Sequence, residues 1–189
     1  MILIDNYDSF TYNIVQYLRE LGIEPKIFKN DEITIEELKK RDFSSVIISP
    51  GPGNPDKAGI SMEVIKEFHK TKKILGICLG HQCIAQYFGC RIIKDKNPTH
   101  GKVSKIYFKD DALFKGIEQG FEATRYNSLI VDNKSLTDFI VPLAYTKNNI
   151  LMALKHRDYH TYGVQFHPEA ILTQYGKKLL LNFININKK

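Results

Sequence analysis

The feature that most constrains this chain is the alternation, over residues 1–80, of short apolar runs with stretches of helical periodicity. Residues 1–5 read as a strand and Asn6 to Asp8 as a turn. Ser9 then caps a helix whose apolar face is Phe10, Ile14, Leu18 and Leu21. Gly22, with Pro25 just beyond, ends that helix. Residues 25–28 form a second strand, and Thr34 with Glu37 makes a capping box for a short helix ending near Arg41. A third strand at 46–48, a helix from Ser61 to about Lys72 and a strand at 73–77 complete the series. A βαβαβαβ order predicts a parallel sheet covered by helices on both faces, because parallel neighbours need a crossover connection. Ligands of such sheets lie at the C-terminal ends of the strands.

From Arg91 onward the pattern is β-rich, with strands expected at 102–108, 121–125, 139–145, 150–156 and 163–166. A last amphipathic helix runs from Leu172 to about Ile186. No Pro/Gly/Ser linker and no internal repeat divides the chain, so residues 1–189 are expected to form a single domain. The fold class is α/β, with a central mostly parallel sheet flanked by helices and a β-rich second half.

Composition excludes several classes. With 43% hydrophobic and 25% charged residues the chain is neither disordered nor fibrous. No run approaches roughly 18 apolar residues, so a membrane span is not expected. The net charge of +6 raises nucleic acid as a partner. Its excess is lysine in scattered pairs (Lys39-Lys40, Lys72-Lys73, Lys177-Lys178, Lys188-Lys189), not a stripe of arginine with interleaved aromatics. A solvated surface is the better reading, and neither nucleic acid nor membrane is an expected partner. Cys78, Cys83 and Cys90 are odd in number and crowded together, and with the opening residues already reading as a strand no leader segment is expected. That pattern fits a reducing compartment: the cytoplasm, or a plastid stroma if the chain is organelle-encoded. Cys78, His81 and Cys83 lack the second ligand pair of a zinc site, so no metal is expected.

The chemistry concentrates in Gly76-Ile77-Cys78-Leu79-Gly80-His81-Gln82, which leaves a strand and opens a helix. A nucleophile on a strained strand-to-helix turn needs small residues two positions to either side. The helix N-terminus there favours a thiolate, and the Leu79 N–H can face an oxyanion. The bland alternative is a small buried thiol, the reading that suits Cys83 and Cys90. A thiolate needs a base. His81 is close in sequence, but on the new helix it is carried away from Cys78. His167, in Phe166-His167-Pro168-Glu169, follows a strand, and extended residues two apart share a side, so Glu169 can orient it. The loop Ser49-Pro50-Gly51-Pro52-Gly53-Asn54-Pro55 follows the third strand. Taken alone it is a rigid turn. At the sheet edge shared with Cys78, Gly53 becomes the candidate second oxyanion donor.

These three motifs, in this order, resemble those of the class I glutamine amidotransferases. The run Ile4-Asp5-Asn6-Tyr7-Asp8-Ser9-Phe10-Thr11-Tyr12-Asn13 is similar to the glutaminase subunits of anthranilate and aminodeoxychorismate synthases, as is Pro98-Thr99-His100-Gly101-Lys102. The likeness spans essentially the whole chain. It implies a flavodoxin-like fold that needs no cofactor. It also implies that L-glutamine binds beside the elbow, contacted by Gly51, Pro52, Gly53, Gln82, Ser128 and Leu129. Cys78 would attack the side-chain amide, His167 would serve as base and acid oriented by Glu169, and Gly53 and Leu79 would hold the oxyanion. Ammonia would pass to a separate chorismate-binding synthase subunit (component I) in a heterodimer or heterotetramer. Residues 6–11 and the surroundings of Gly101 would face that partner. The product implied first is anthranilate, for tryptophan. The alternatives are 4-aminobenzoate, for folate, or service to both. A stand-alone Cys-His-Glu hydrolase is a further enzyme reading, against which the Asn-Tyr-Asp-Ser-Phe-Thr run counts. Amidotransferases for guanylate or carbamoyl phosphate are expected to carry domains this length does not accommodate. Two positions depart from the family pattern: Asn127 where His is usual, and Ala170 where Ser is common.

Overall fold

The structure, a computed structural model, describes residues 1–186. The first half is β1 (Ile2–Asp5), α1 (Thr11–Glu20), β2 (Lys26–Lys29), α2 (Ile35–Lys39), β3 (Ser45–Ile48), α3 (Ser61–Phe68), β4 (Lys73–Ile77) and α4 (Leu79–Tyr87). The second half adds β5 (Ile92–Lys94), β6 (Lys102–Phe108), β7 (Phe121–Arg125), β8 (Leu129–Val131), β9 (Ile140–Thr146), β10 (Leu151–His156), β11 (Thr161–Val164) and α5 (Gly176–Asn185). Nine strands form one sheet in the order β2-β1-β3-β4-β11-β10-β9-β6-β7. Strands β2, β1, β3, β4 and β11 are mutually parallel, and the β-rich half extends the sheet antiparallel from β11 outward. The expected α/β architecture is therefore present, with the second half continuing the first sheet.

Alternation along the central strands sorts side chains to two cores. Leu3, Ile47, Leu75 and Ile77 point to one face, where they meet Ile14, Val15 and Leu18 of α1 and Leu179, Leu180 and Phe183 of α5. Ile2, Ile4, Val46, Ile48 and Ile74 point to the other, against Leu38 of α2, Val64, Ile65 and Phe68 of α3, and Cys83, Ile84 and Ala85 of α4. The capping box of α2 forms as expected: Thr34 Oγ1 accepts the Glu37 N–H at 3.3 Å, and Glu37 Oε2 accepts the Thr34 N–H at 2.8 Å. Gly22 (φ +79°) ends the α1 segment with its N–H on Arg19 O, while the Ile23 N–H reaches Leu18 O.

Four local expectations are corrected. Ser9 does not cap α1. Asp8 Oδ2 accepts the Phe10 N–H at 2.8 Å, and Asp5 Oδ1 accepts the Tyr7 N–H at 3.0 Å and the Thr11 hydroxyl at 2.8 Å, so two upstream carboxylates take these donors. Helix α3 stops at Phe68, where the His69 ring meets the Ile65 carbonyl at 2.9 Å, well before Lys72. Strand β11 spans 161–164, two residues earlier than the sequence pattern suggests, which frees Gln165 to His167 for the site. The last helix begins at Gly176, not Leu172. Tyr175 is left-handed (φ 59°), and a Cβ on Gly176 would lie 1.8 Å from Pro168 O, so the backbone turns tightly there before the helix starts. The small β5–β8 sheet has three residues per strand, too short for an apolar period to announce it.

Candidate active site

Cys78 sits between β4 and α4 with φ 51° and ψ −98°, a strained conformation for a residue with a side chain. Its neighbours explain why the turn exists. A Cβ on Gly76 would fall 2.3 Å from the Gly80 carbonyl, and one on Gly80 would fall 2.5 Å from Ile48 O. The turn therefore closes only with glycine at both positions. The Cys78 N–H donates to Val164 O at 2.8 Å, tying the elbow to the end of β11. Leu79 is the first residue of α4, where a backbone N–H has no intrahelical acceptor.

From the end of β11 the chain delivers His167, whose N–H donates to Thr124 O at 3.0 Å. Its Nδ1 lies 2.6 Å from Glu169 Oε1, and both side chains are buried. Desolvation opposes charge on the ring, yet hydrogen bonding and Coulomb attraction from Cys78 and Glu169 outweigh it and hold His167 well above the usual imidazole range. With Nδ1 engaged by Glu169, Nε2 is the nitrogen left to serve the sulfur. The rings of Tyr126 and Phe10 stand edge-on to His167, at 5.1 and 6.5 Å between centroids, and stack on one another at 5.5 Å. Burial raises the Asp8 carboxyl, which lies near both His167 and Glu169. The other candidates differ. His81 is fully buried against Gly163, and burial pushes it down to about 4. Burial raises Cys83 to about 12 and also raises Cys90, leaving both as inert thiols.

A cleft of about 160 Å³ opens beside the sulfur. Gly51, Pro52, Gly53, Cys78, Leu79, Gln82, Ser128 and Leu129 line it, together with Tyr126 and Asn127. Gly51 approaches so closely that a Cβ would meet Asn6 O at 2.6 Å, and Gly53 adopts φ +82°. Asn6 pins this loop: its N–H donates to Ser49 Oγ at 2.8 Å and its Nδ2 to Ser49 O at 2.9 Å. The segment 6–11 is thus not wholly outward-facing, since Asn6 and Thr11 are buried while Tyr7 is exposed. A larger cleft of about 460 Å³, lined by Asp95 and Arg125 among others, flanks the same 126–130 segment but contains no thiol and no imidazole. Among the described residues no group of three or more His, Cys, Asp and Glu is placed to hold a metal ion. Motif reading passes over Tyr126 and Gln165. The signal for Gln165 is a polar residue between the apolar Val164 and Phe166 in a fully buried run.

The glutamine amidotransferase class-I family model matches residues 2–186. The chain belongs to this family. Among the relatives of this amidotransferase, the "Anthranilate synthase component 2" of Pyropia yezoensis is 49% identical, with 97% of this chain and 98% of that one aligned. The "Aminodeoxychorismate/anthranilate synthase component 2" of Bacillus subtilis is 48% identical over 100% and 97%. The "Bifunctional protein TrpGD" of Thermotoga maritima is 47% identical over 98% of this chain but only 32% of its own length. Among solved structures, a GMP synthase-type protein from Thermoplasma acidophilum superposes with a TM-score of 0.86 at 30% identity, covering 98% of this chain and 92% of that one. That neighbour, which carries a guanylate-synthase name, aligns over 92% of its own length, so length alone does not separate the guanylate assignment. The three relatives named above are 47–49% identical to this chain, and the structural neighbour 30%.

Proposed function

We propose that this amidotransferase is the glutaminase subunit of a chorismate-aminating synthase, with anthranilate as the product, acting as a single domain beside a separate component I. The observation that carries the mechanism is that Cys78, which lines one cleft with Gly51, Gly53, Gln82 and Ser128, interacts with the buried His167–Glu169 pair. Glutamine enters with its side-chain amide over the sulfur. His167 takes the thiol proton, the sulfur bonds to the amide carbon, and the oxyanion points to the N–H groups of Gly53 and Leu79. His167 then returns the proton to the leaving nitrogen, so ammonia departs and a γ-glutamyl thioester remains. Water, deprotonated by the same ring, adds to the thioester; the C–S bond breaks, and glutamate and the thiol are restored. Glu169 holds the ring in the tautomer that presents Nε2 and supports its charged form.

The relatives named as component 2 support a partner synthase that receives the ammonia. The Bacillus subtilis relative carries both product names, and that observation keeps 4-aminobenzoate as the second reading. The scattered lysines supply no argument for nucleic acid, and no described helix is long and apolar enough to cross a membrane. The test is Cys78→Ser assayed in the complex with component I. Glutamine-dependent synthesis disappears while synthesis from ammonium salts continues; retained glutaminase activity would mean another nucleophile. Assaying anthranilate and aminodeoxychorismate with the synthase that co-purifies distinguishes the two products.

A further inference from the structure

Gln165 lies one residue beyond β11 with no exposed surface, so water cannot stand in for its side-chain contacts. Its Nε2 is 3.6 Å from Cys78 Sγ, within hydrogen-bond range for sulfur. The direction of that amide is set from outside. Gln82 Nε2 spends its two N–H groups on Gln165 Oε1 and Leu129 O, each at 3.1 Å. Because Gln165 Oε1 already accepts from Gln82, its NH₂ end is the one that faces the sulfur. The second lone pair of Leu129 O takes Asn127 Nδ2 at 3.2 Å, and Asn127 Oδ1 accepts Arg125 Nε at 3.1 Å. Arg125 is itself fixed by Asp95 at 3.3 Å, with both side chains 5% exposed. One hydrogen-bonded chain thus runs from a buried ion pair beside the larger cleft to the sulfur.

We propose that the side-chain amide of Gln165 is a further catalytic group that donates to the Cys78 sulfur, and that Arg125 and Asn127 position it through Gln82. The inference rests on reading Cys78 as the nucleophile. An amide N–H can only donate, and a thiolate accepts far better than a thiol, so the contact strengthens as His167 removes the proton. It weakens again once the sulfur carries the acyl group. The donor thus favours the attacking form without competing with His167 as a base. The titratable groups facing the sulfur are His167 with Glu169 behind it and Asp8 near that pair, whereas His81 and Cys83 on α4 lie against Gly163 and near Asp56. Gln165 and Gln82 add no charge. This hydrogen-bonded chain also gives a role to Asn127, one of the two positions at which the motif reading departs from the family pattern.

The test is the rate of iodoacetamide alkylation of the whole chain, followed at the Cys78 peptide by mass spectrometry across the neutral pH range. In Gln165→Met the midpoint of alkylation moves up by about one pH unit, leaving about tenfold less thiolate near neutrality. Glutamine turnover falls in kcat with KM little changed. Asn127→Ala and Arg125→Met move the midpoint in the same direction by less. A folded Gln165→Met protein, judged by circular dichroism, with an unchanged midpoint overturns the proposal. If that variant does not fold, Asn127→Ala decides, and an unchanged midpoint there overturns it equally. Wild-type Cys78 that resists alkylation while glutamine is still turned over defeats the nucleophile assignment itself, a result distinct from either.

Discussion

His81 and His167 are both buried, yet their surroundings send them in opposite directions. His81 has no carboxylate beside it, and desolvation, opposed only by a backbone hydrogen bond at Gly163, takes it from 6.5 to about 4. Between those values the unfolded chain binds the proton that the folded chain refuses, so stability rises with pH across that window. Acidifying from neutrality to about pH 4 therefore costs roughly 3 kcal/mol at this residue. Urea unfolding of wild type and His81→Leu at both ends of the window checks this: the substituted protein loses distinctly less stability on acidification. His167 has the opposite sign. Its folded value lies above 6.5, so its contribution is complete below the unfolded value and disappears as pH rises through the folded one. Glu169→Gln removes one of the two partners that support the charge. Glutaminase turnover should fall about a hundredfold, and the alkaline limb of the pH–rate profile should move to lower pH. An unmoved limb would take Glu169 out of the mechanism.

At the scale of elements, two glycines separate close approach from mere conformational preference. Gly22 ends the α1 segment at φ +79° with nothing within 4 Å of a Cβ, so Gly22→Ala costs only the left-handed penalty of about 1 kcal/mol. A Cβ on Gly80 would meet Ile48 O at 2.5 Å, a backbone atom that cannot step aside without parting β3 from α4. Gly80→Ala is expected to cost more than about 2 kcal/mol and to disturb the elbow, seen as a lowered Tm together with lost glutaminase activity. This contrast was legible in the sequence at the elbow, because glycines two residues either side of a cysteine after a strand have one steric explanation. The Asp8 and Asp5 hydrogen bonds before α1 and the start of α5 at Gly176 were not. Each depends on a contact across a turn or between segments that no local period records, such as Gly176 against Pro168 O.

Over the whole molecule, the parallel half could be read because β1, β3 and β4 are apolar on both faces and are separated by amphipathic helices. That the β-rich half joins the same sheet through β11 could not, since pairing β11 beside β4 is a long-range choice. The same pairing brings His167 to Cys78, so the site becomes whole only when the last strand docks. The segments that follow β1 and β11 also carry side chains that folding leaves outside. Tyr7 is 52% exposed, Tyr12 64%, Leu172 61% and Ile171 92%. Aromatic and aliphatic groups this exposed, on the segments leading away from the catalytic strand ends, are what the proposed partner would cover. The proposed synthase subunit, which must receive ammonia before it escapes to solvent, is the occupant such a position calls for. Ile171→Asp places a charge where that surface would be desolvated without altering any core contact of the free chain. Its Tm is expected to match wild type, while its affinity for component I, measured by titration calorimetry, falls at least tenfold. Glutamine-dependent synthesis at limiting glutaminase concentration falls in proportion, and excess Ile171→Asp protein restores it. Unchanged affinity would move the docking surface away from Ile171.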